Sequence, residues 1–209
     1  GPKHGQPFCK WVGGKRQLIE QMLPHVPTSF GGTDTTRVAL CPTNSDGHYY
    51  EPFIGGGALF FHLSPQPATI SDVNARLVRT YRAIRDNVEG VIALLQECKN
   101  DKEFFLSARA HDIDENDDVT VATWFIYLNK TGFNGVYRVN KQNRFNVPFA
   151  GHKNPNICNA AALRDCARRL TGVAILEADF ETVMASAQPQ PGDFVYFDDG
   201  GTNLTAADD

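Results

Sequence analysis

A glutamate, a proline, an aromatic ring and three glycines stand together in Glu51-Pro52-Phe53-Ile54-Gly55-Gly56-Gly57, between an extended aromatic segment and the apolar helix start Ala58-Leu59-Phe60-Phe61. Residues of this kind can cradle a nucleotide. Glycine has no Cβ, so a tight strand-to-helix turn forms there and a ligand comes close to the backbone, with helix-terminal N–H groups pointing at it. Pro52 fixes φ and removes a donor at the end of a strand, while Glu51 offers a polar contact and Phe53 a stacking surface. Asp72 follows Gly55 by 17 residues, close to the spacing at which a carboxylate reaches the ribose hydroxyls of a nucleotide-like ligand. Asp179 and Asp198 also follow apolar runs. The same residues would equally serve an ordinary β-to-α turn and, with Asn74, a helix cap.

For these groups to meet, they must lie at strand ends in one sheet. Tyr49 to Phe53 reads as a strand running into the glycine turn and a helix, and Ala68 to Asp72 as a second strand ending on a carboxylate. Asn74 to Arg85, Val88 to Lys99 and Asp117 to Lys130 are predicted helical, the last with Trp124, Phe125, Tyr127 and Leu128 on an apolar face. Thr131 to Gly151, rich at first in glycine and asparagine, reads as a hairpin or ordered loop. Val173 to Leu176 and Asp193 to Phe197 are strand candidates that lead to Asp179-Phe180 and Asp198. Upstream, Pro24 and Pro27 close a short helix, and 28–48 reads as a long surface loop. Sheet units on both sides of a helical stretch predict an open parallel α/β sheet with its ligand at the C-terminal strand ends.

At 209 residues and 42% hydrophobic composition, the chain can bury the core of one domain, with room for an inserted subdomain. The net charge of -4 conceals an uneven distribution. Val119 to Arg164 holds no Asp or Glu but carries Lys130, Arg138, Lys141, Arg144, Lys153 and Arg164, giving +6, while the rest has 14 basic against 24 acidic residues. A positive segment on an acidic body is the footprint of a nucleic-acid-facing surface, and also of a solvated loop without acids. The cysteines (Cys9, Cys41, Cys98, Cys158, Cys166) are odd in number, spread out and free of C-x-x-C pairs, which predicts reduced structural thiols rather than a disulfide framework or a zinc site. Gly1-Pro2 reads as a protease-cleavage scar, and neither a secretory signal nor a membrane-spanning run is expected, so a cytoplasmic protein is.

Five runs in order resemble the Dam-type DNA adenine-N6 methyltransferases, which use S-adenosylmethionine. They are Lys10-Trp11-Val12-Gly13-Gly14-Lys15-Arg16, the Glu51 to Gly57 run, Ser71-Asp72-Val73-Asn74, Tyr127-Leu128-Asn129-Lys130-Thr131-Gly132-Phe133-Asn134-Gly135-Val136-Tyr137-Arg138, and Arg144-Phe145-Asn146-Val147-Pro148-Phe149. The resemblance covers Phe8 to Asp198. It implies a Rossmann-like α/β methyltransferase sheet (8–86 and 166–209) with an inserted helical and hairpin DNA-recognition subdomain (87–165). It also implies that Trp11 and Lys15 flank the methionine end of S-adenosylmethionine, Gly55 and Gly57 admit it, Phe53 packs on it, Asp72 takes its ribose hydroxyls, and Asp179 and Phe180 meet its adenine ring. No metal is implied. On the DNA side, Arg138 and Arg144 are suited to guanine or phosphate, Asn129 and Asn134 to base edges or backbone, and Lys130 and Lys141 to phosphate, while Tyr137 would wedge into or stack on the duplex. The partner is double-stranded DNA, bound by a monomer or weak dimer.

In the family, the catalytic run is Asp-Pro-Pro-Tyr, whose Asp and first Pro carbonyl accept the amino hydrogens of a flipped adenine while Tyr stacks on it. Here Asp198 stands in the expected place, as a catalytic and cofactor-contacting residue, but Asp199-Gly200-Gly201 follows. Residues absent after Asp198 are one explanation, and a chain that binds cofactor and DNA without methylating is the other. The first is preferred, because Thr205 to Asp208 has a helix-start pattern with no helix after it. The functions to separate are therefore an adenine-N6 methyltransferase acting on a short, GATC-like site, solitary or restriction-linked, a degenerate DNA- and cofactor-binding relative, and an RNA or small-molecule methyltransferase.

Overall fold

The computed structural model describes residues 4–11, 47–190 and 192–196. Lys15, Cys41, Asp198 and all but the last two residues of the loop expected over 28–48 lie outside the described residues. Strands β1 (Tyr49–Glu51), β2 (Ala68–Asp72), β3 (Ala174–Glu177) and β4 (Phe194–Val195) form one parallel sheet in the order β3-β2-β1-β4. Every residue of β1 and β2 is buried, as expected of inner parallel strands covered on both faces. The strand order reverses between β1 and β4, and such a switch point opens a crevice at the C-terminal strand ends. The sequence places β2 correctly and the others within one or two residues. Pro52 and the left-handed Phe53 end β1 at Glu51.

Among the described residues β3 is an edge of the sheet, with backbone carbonyls to satisfy on its outer side. Arg82 donates to Ile175 O and Arg85 to Val173 O, so two side chains of the neighbouring helix cover that edge.

Of helices α1 (Ala58–Leu63), α2 (Ala75–Glu97), α3 (Lys102–Ala110), α4 (Asp118–Thr131), α5 (Ala160–Leu170) and α6 (Phe180–Ala187), α2 lies against β2 and β3 and carries α4 and α5 on its other sides, while α3 packs on α4 and α6 on β2. Five of them begin on an Asn or Asp whose side chain accepts from a backbone N–H of the first turn: Asn74, Asp101, Asp117, Asn159 and Asp179. The two helices predicted over 74–99 are one element with a break at Asn87 (φ -151°), whose Oδ1 accepts from Gly90 N. The expected start of the inserted subdomain falls at this break. Helix α4 is apolar nearly all round and buried from Val121 to Asn129, the pattern of a central helix. One buried cluster runs from Phe8 through Phe61, Tyr81 and Tyr127 to Phe194, so residues 87–165 and the sheet share a core.

The described cysteines are all free. Burial pushes the thiols of Cys9 and Cys166 up to about 12, which keeps them protonated and inert.

Candidate active site

Gly55 (φ 49°) and Gly57 (φ 71°) both take left-handed backbone, and so does Phe53 (φ 57°), where a bulky residue is strained. The turn is held from below. Ile54 N donates to Ser71 O (2.9 Å), Gly55 N to Asp72 Oδ2 (3.1 Å), and Tyr81 Oη to Gly55 O (2.8 Å). The other oxygen of Asp72 accepts from Asn74 N (3.0 Å), so this carboxylate joins the turn to the start of α2. Burial raises its pKa above the ordinary carboxylate range, against the pull of the backbone N–H groups of Asn74, Gly55 and Val73. Of the sequence alternatives for this region, the turn and the helix cap are both present, Asn74 capping α2 while Asp72 reaches back to the turn. Helix α1 is six residues long, so the polar surface here comes from the turn backbone rather than a helix terminus.

Phe53 remains exposed because its strained backbone turns the ring outward, parallel to Phe180 with centroids 6.2 Å apart. Exposed Val73 lies next to Asp72. Asp179 is solvent-exposed and caps α6 through Thr182 N (2.7 Å), which holds its carboxyl below the usual range. On the opposite side, the Trp11 ring covers the turn: a Cβ on Gly55 would lie 2.8 Å from Trp11 Cδ1, and one on Gly56 2.9 Å from Trp11 Cβ. Trp11, Phe53, Gly55, Gly57, Asp72 and Phe180 are thus gathered around one turn at the C-terminal end of β1. Glu51, whose role the sequence leaves open, is a buried carboxylate at that same end and accepts from Tyr49 Oη (2.5 Å).

The segment Thr131–Ala150 is a hairpin. Antiparallel bridges pair Gly132 with Phe149 and Val139 with Phe145, and Asn140 Oδ1 closes the tip by accepting from Gln142 N and Arg144 N. Phe145 and Val147 face the core, whereas Lys141, Arg144 and Asn134 are exposed. Lys130 is half-buried. Arg138 donates to Asn146 Oδ1 (2.7 Å) and Asn146 O (3.0 Å) across the hairpin. Of the sequence's basic stretch, Arg164 is paired with Glu89 (2.7 Å), which removes one charge from the free positive surface.

Two expected DNA contacts are revised by this geometry. Asn129 is buried, and its amide accepts from Lys10 N (2.9 Å) and donates to Lys10 O (2.7 Å) and Gly135 O (3.1 Å). It ties the segment carrying Trp11 to the hairpin and has nothing left for a base edge. Removing it strands three backbone groups, so Asn129→Ala is expected to lower stability by about 1–3 kcal/mol in urea unfolding. Tyr137 is no outward wedge either: its ring stacks on Phe125 (5.3 Å) and Trp11 (6.1 Å), and its hydroxyl accepts from Arg76 (3.3 Å). The large exposed aromatic here is Phe133, 54% exposed on the 3₁₀ turn Phe133–Gly135. Spacing gave no sign of which aromatic would face outward, because both sit in the same run.

Among the described residues, no group of three or more His, Cys, Asp or Glu is placed to hold a metal ion, and no helix is long and apolar enough to cross a membrane.

The sequence pattern of the D12 class N6 adenine-specific DNA methyltransferases matches residues 11–199. A type II methyltransferase of Lactococcus lactis subsp. cremoris is 42% identical over 201 residues, covering 92% of this chain and 64% of that protein. A type II methyltransferase of Methanocaldococcus jannaschii is 34% identical over 210 residues, covering 92% of this chain and 68% of that protein. A DNA adenine methylase of Haemophilus influenzae is 30% identical over 159 residues, covering 72% of this chain and 49% of that protein. The chain thus spans between 49% and 68% of the length of these relatives. With the glycine turn, Trp11 and the hairpin all inside the matched range, this chain belongs to the D12 class N6 adenine-specific DNA methyltransferase family.

Proposed function

We propose that this protein transfers a methyl group from S-adenosylmethionine to N6 of an adenine flipped out of a short site in duplex DNA. The observation that carries the reading is one juxtaposition: the glycine turn with its pinned Asp72 and its aromatic rim lies beside the Trp11–Tyr137 stack, and Tyr137 belongs to the exposed basic hairpin.

The residues fit the cofactor. A turn already closed against Trp11 leaves Asp72 to accept ribose hydroxyls, Phe53 and Phe180 to line an adenine ring, and Trp11 with Lys15 to hold the methionine end. S-adenosylmethionine supplies a methyl group on a positively charged sulfur. The adenine amine is a weak nucleophile, its lone pair drawn into the ring, and Asp198, two residues past Tyr196 in the sequence, would accept one of its hydrogens. The gain is positioning plus local electrostatics.

We assign 87–165 to target recognition, with Arg144, Lys141, Lys130 and Asn134 toward DNA and Arg138 bracing the hairpin. Phe133 replaces Tyr137 as the side chain to insert between base steps. The site of action is wherever duplex DNA lies in the cytoplasm.

Asp199 and Gly200 in place of Pro-Pro favour a second reading, a relative that binds cofactor and DNA without catalysis. The two separate in one assay: protein, S-adenosylmethionine and unmethylated duplex DNA, followed by nucleoside analysis. N6-methyladenine supports the first reading, and salt-dependent DNA retardation without product supports the second. Phe133→Ala is expected to weaken duplex binding about tenfold to a hundredfold with S-adenosylhomocysteine affinity unchanged, given about 1–3 kcal/mol per base–aromatic stack.

A further inference from the structure

Arg76, on the first turn of α2, is 7% exposed and makes three kinds of contact at once. Its Nε and Nη2 form a two-pronged pair with Asp114 at 2.9 Å each, its guanidinium lies 5.1 Å from the centre of the Trp124 ring, and its Nη1 donates to Tyr137 Oη at 3.3 Å. Burial is the largest single influence and works against the charge, but the hydrogen bonds and charge interactions with Asp114 and Tyr137 together outweigh it and keep the guanidinium ionised. Tyr137 in turn stacks on Trp11, Trp11 covers Gly55 and Gly56, Gly55 N binds Asp72, and Asp72 lies four residues before Arg76. These contacts, with the short stretch of chain from Asp72 to Arg76, close a ring: Gly55, Asp72, Arg76, Tyr137, Trp11 and back to Gly55. One side of this ring is the turn and the other is the hairpin.

We propose that Arg76 is a positioning residue that couples occupancy of the glycine turn to the order of the 131–150 hairpin, by fixing the Tyr137 ring over Trp11. This rests on the reading that the turn takes the cofactor and the hairpin the DNA. Arg76 sits behind the stack and acts through Tyr137. A planar fork is required, because a lysine cannot grip Asp114 twice and reach the Tyr137 hydroxyl as well. Ligand seated against Trp11 then restrains Tyr137, and through it the hairpin, before DNA arrives.

The test uses the full chain, S-adenosylhomocysteine as probe, calorimetry for affinity and amide hydrogen exchange for residues 131–150, in the unsubstituted protein, Arg76→Lys and Tyr137→Phe. Expected for the unsubstituted protein is binding accompanied by slowed hairpin exchange. In each variant, affinity falls about three- to tenfold, as for one lost hydrogen bond, and the slowing of hairpin exchange on binding disappears. Tyr137→Phe keeps the ring stack and the fold, so it decides the matter if Arg76→Lys does not fold. If Tyr137→Phe binds and its hairpin exchange slows on binding as much as in the unsubstituted protein, the coupling is overturned while the cofactor reading stays intact. Absence of any binding by the unsubstituted protein overturns both.

Discussion

Asp72→Ala is expected to weaken S-adenosylhomocysteine binding by at least about a hundredfold, read by calorimetry. Hydrogen bonds to a charged group contribute about 1.5–3 kcal/mol each, and two ribose hydroxyls would lose their acceptor together. The substitution also releases Gly55 N and Asn74 N, which the carboxylate holds at 3.1 and 3.0 Å, so a drop in melting temperature accompanies the lost affinity. A pH series separates the two effects. Burial raises the folded pKa of Asp72 above its ordinary value of 3.8, so the folded chain holds this proton more tightly than the unfolded chain. Stability from this group is therefore greatest below 3.8 and is lost as pH climbs through the raised folded value. Ligand affinity runs the other way, since the ionised form is the better acceptor, and it should rise across that same window. Asp72→Asn should flatten both trends. Unaltered affinity in Asp72→Ala would remove Asp72 from the cofactor site.

The second large effect is on stability, at Gly57. Its φ of 71° is left-handed, and an added Cβ would lie 2.6 Å from Tyr81 Oη. The Tyr81 ring is fully buried and its hydroxyl is engaged by Gly55 O at 2.8 Å, so it has no direction in which to yield. Left-handed backbone costs a non-glycine residue about 1–2 kcal/mol, and overpacking adds about 1–3 kcal/mol. Gly57→Ala should therefore lose about 2–5 kcal/mol, a melting temperature lower by roughly 5–15 °C for a domain of this size. Adding Tyr81→Phe should recover part of the overpacking term, but not the backbone term. A melting temperature for Gly57→Ala within a degree of the unsubstituted protein would show that the turn can relax.

Elements of one period were legible in the sequence. Strand β2 was bounded by its apolar run and closing carboxylate, and α4 by Asp117 and its aromatic face. The glycine run and the Gly55–Asp72 interval were legible because both are local, and a turn with its neighbouring strand end is specified by residues close in the chain. What the charges and aromatics of the hairpin face was not. Asn129, Tyr137 and Phe133 share one run, and spacing cannot tell an amide that binds a base from one that binds Lys10, 119 positions away. Burial decides this, and burial depends on which helix a residue lands against: α4 is covered on nearly all sides, so its asparagine finds only backbone. Composition and motif order thus determined the sheet, the glycine turn, the basic run and the family. Only the tertiary structure decided that Tyr137 turns inward to Arg76, that Phe133 turns outward, and that Asp114, 38 positions from Arg76, holds the guanidinium that meets Tyr137. Those outcomes come from long-range packing and from the cost of leaving a buried polar group unpaired, which no local pattern encodes.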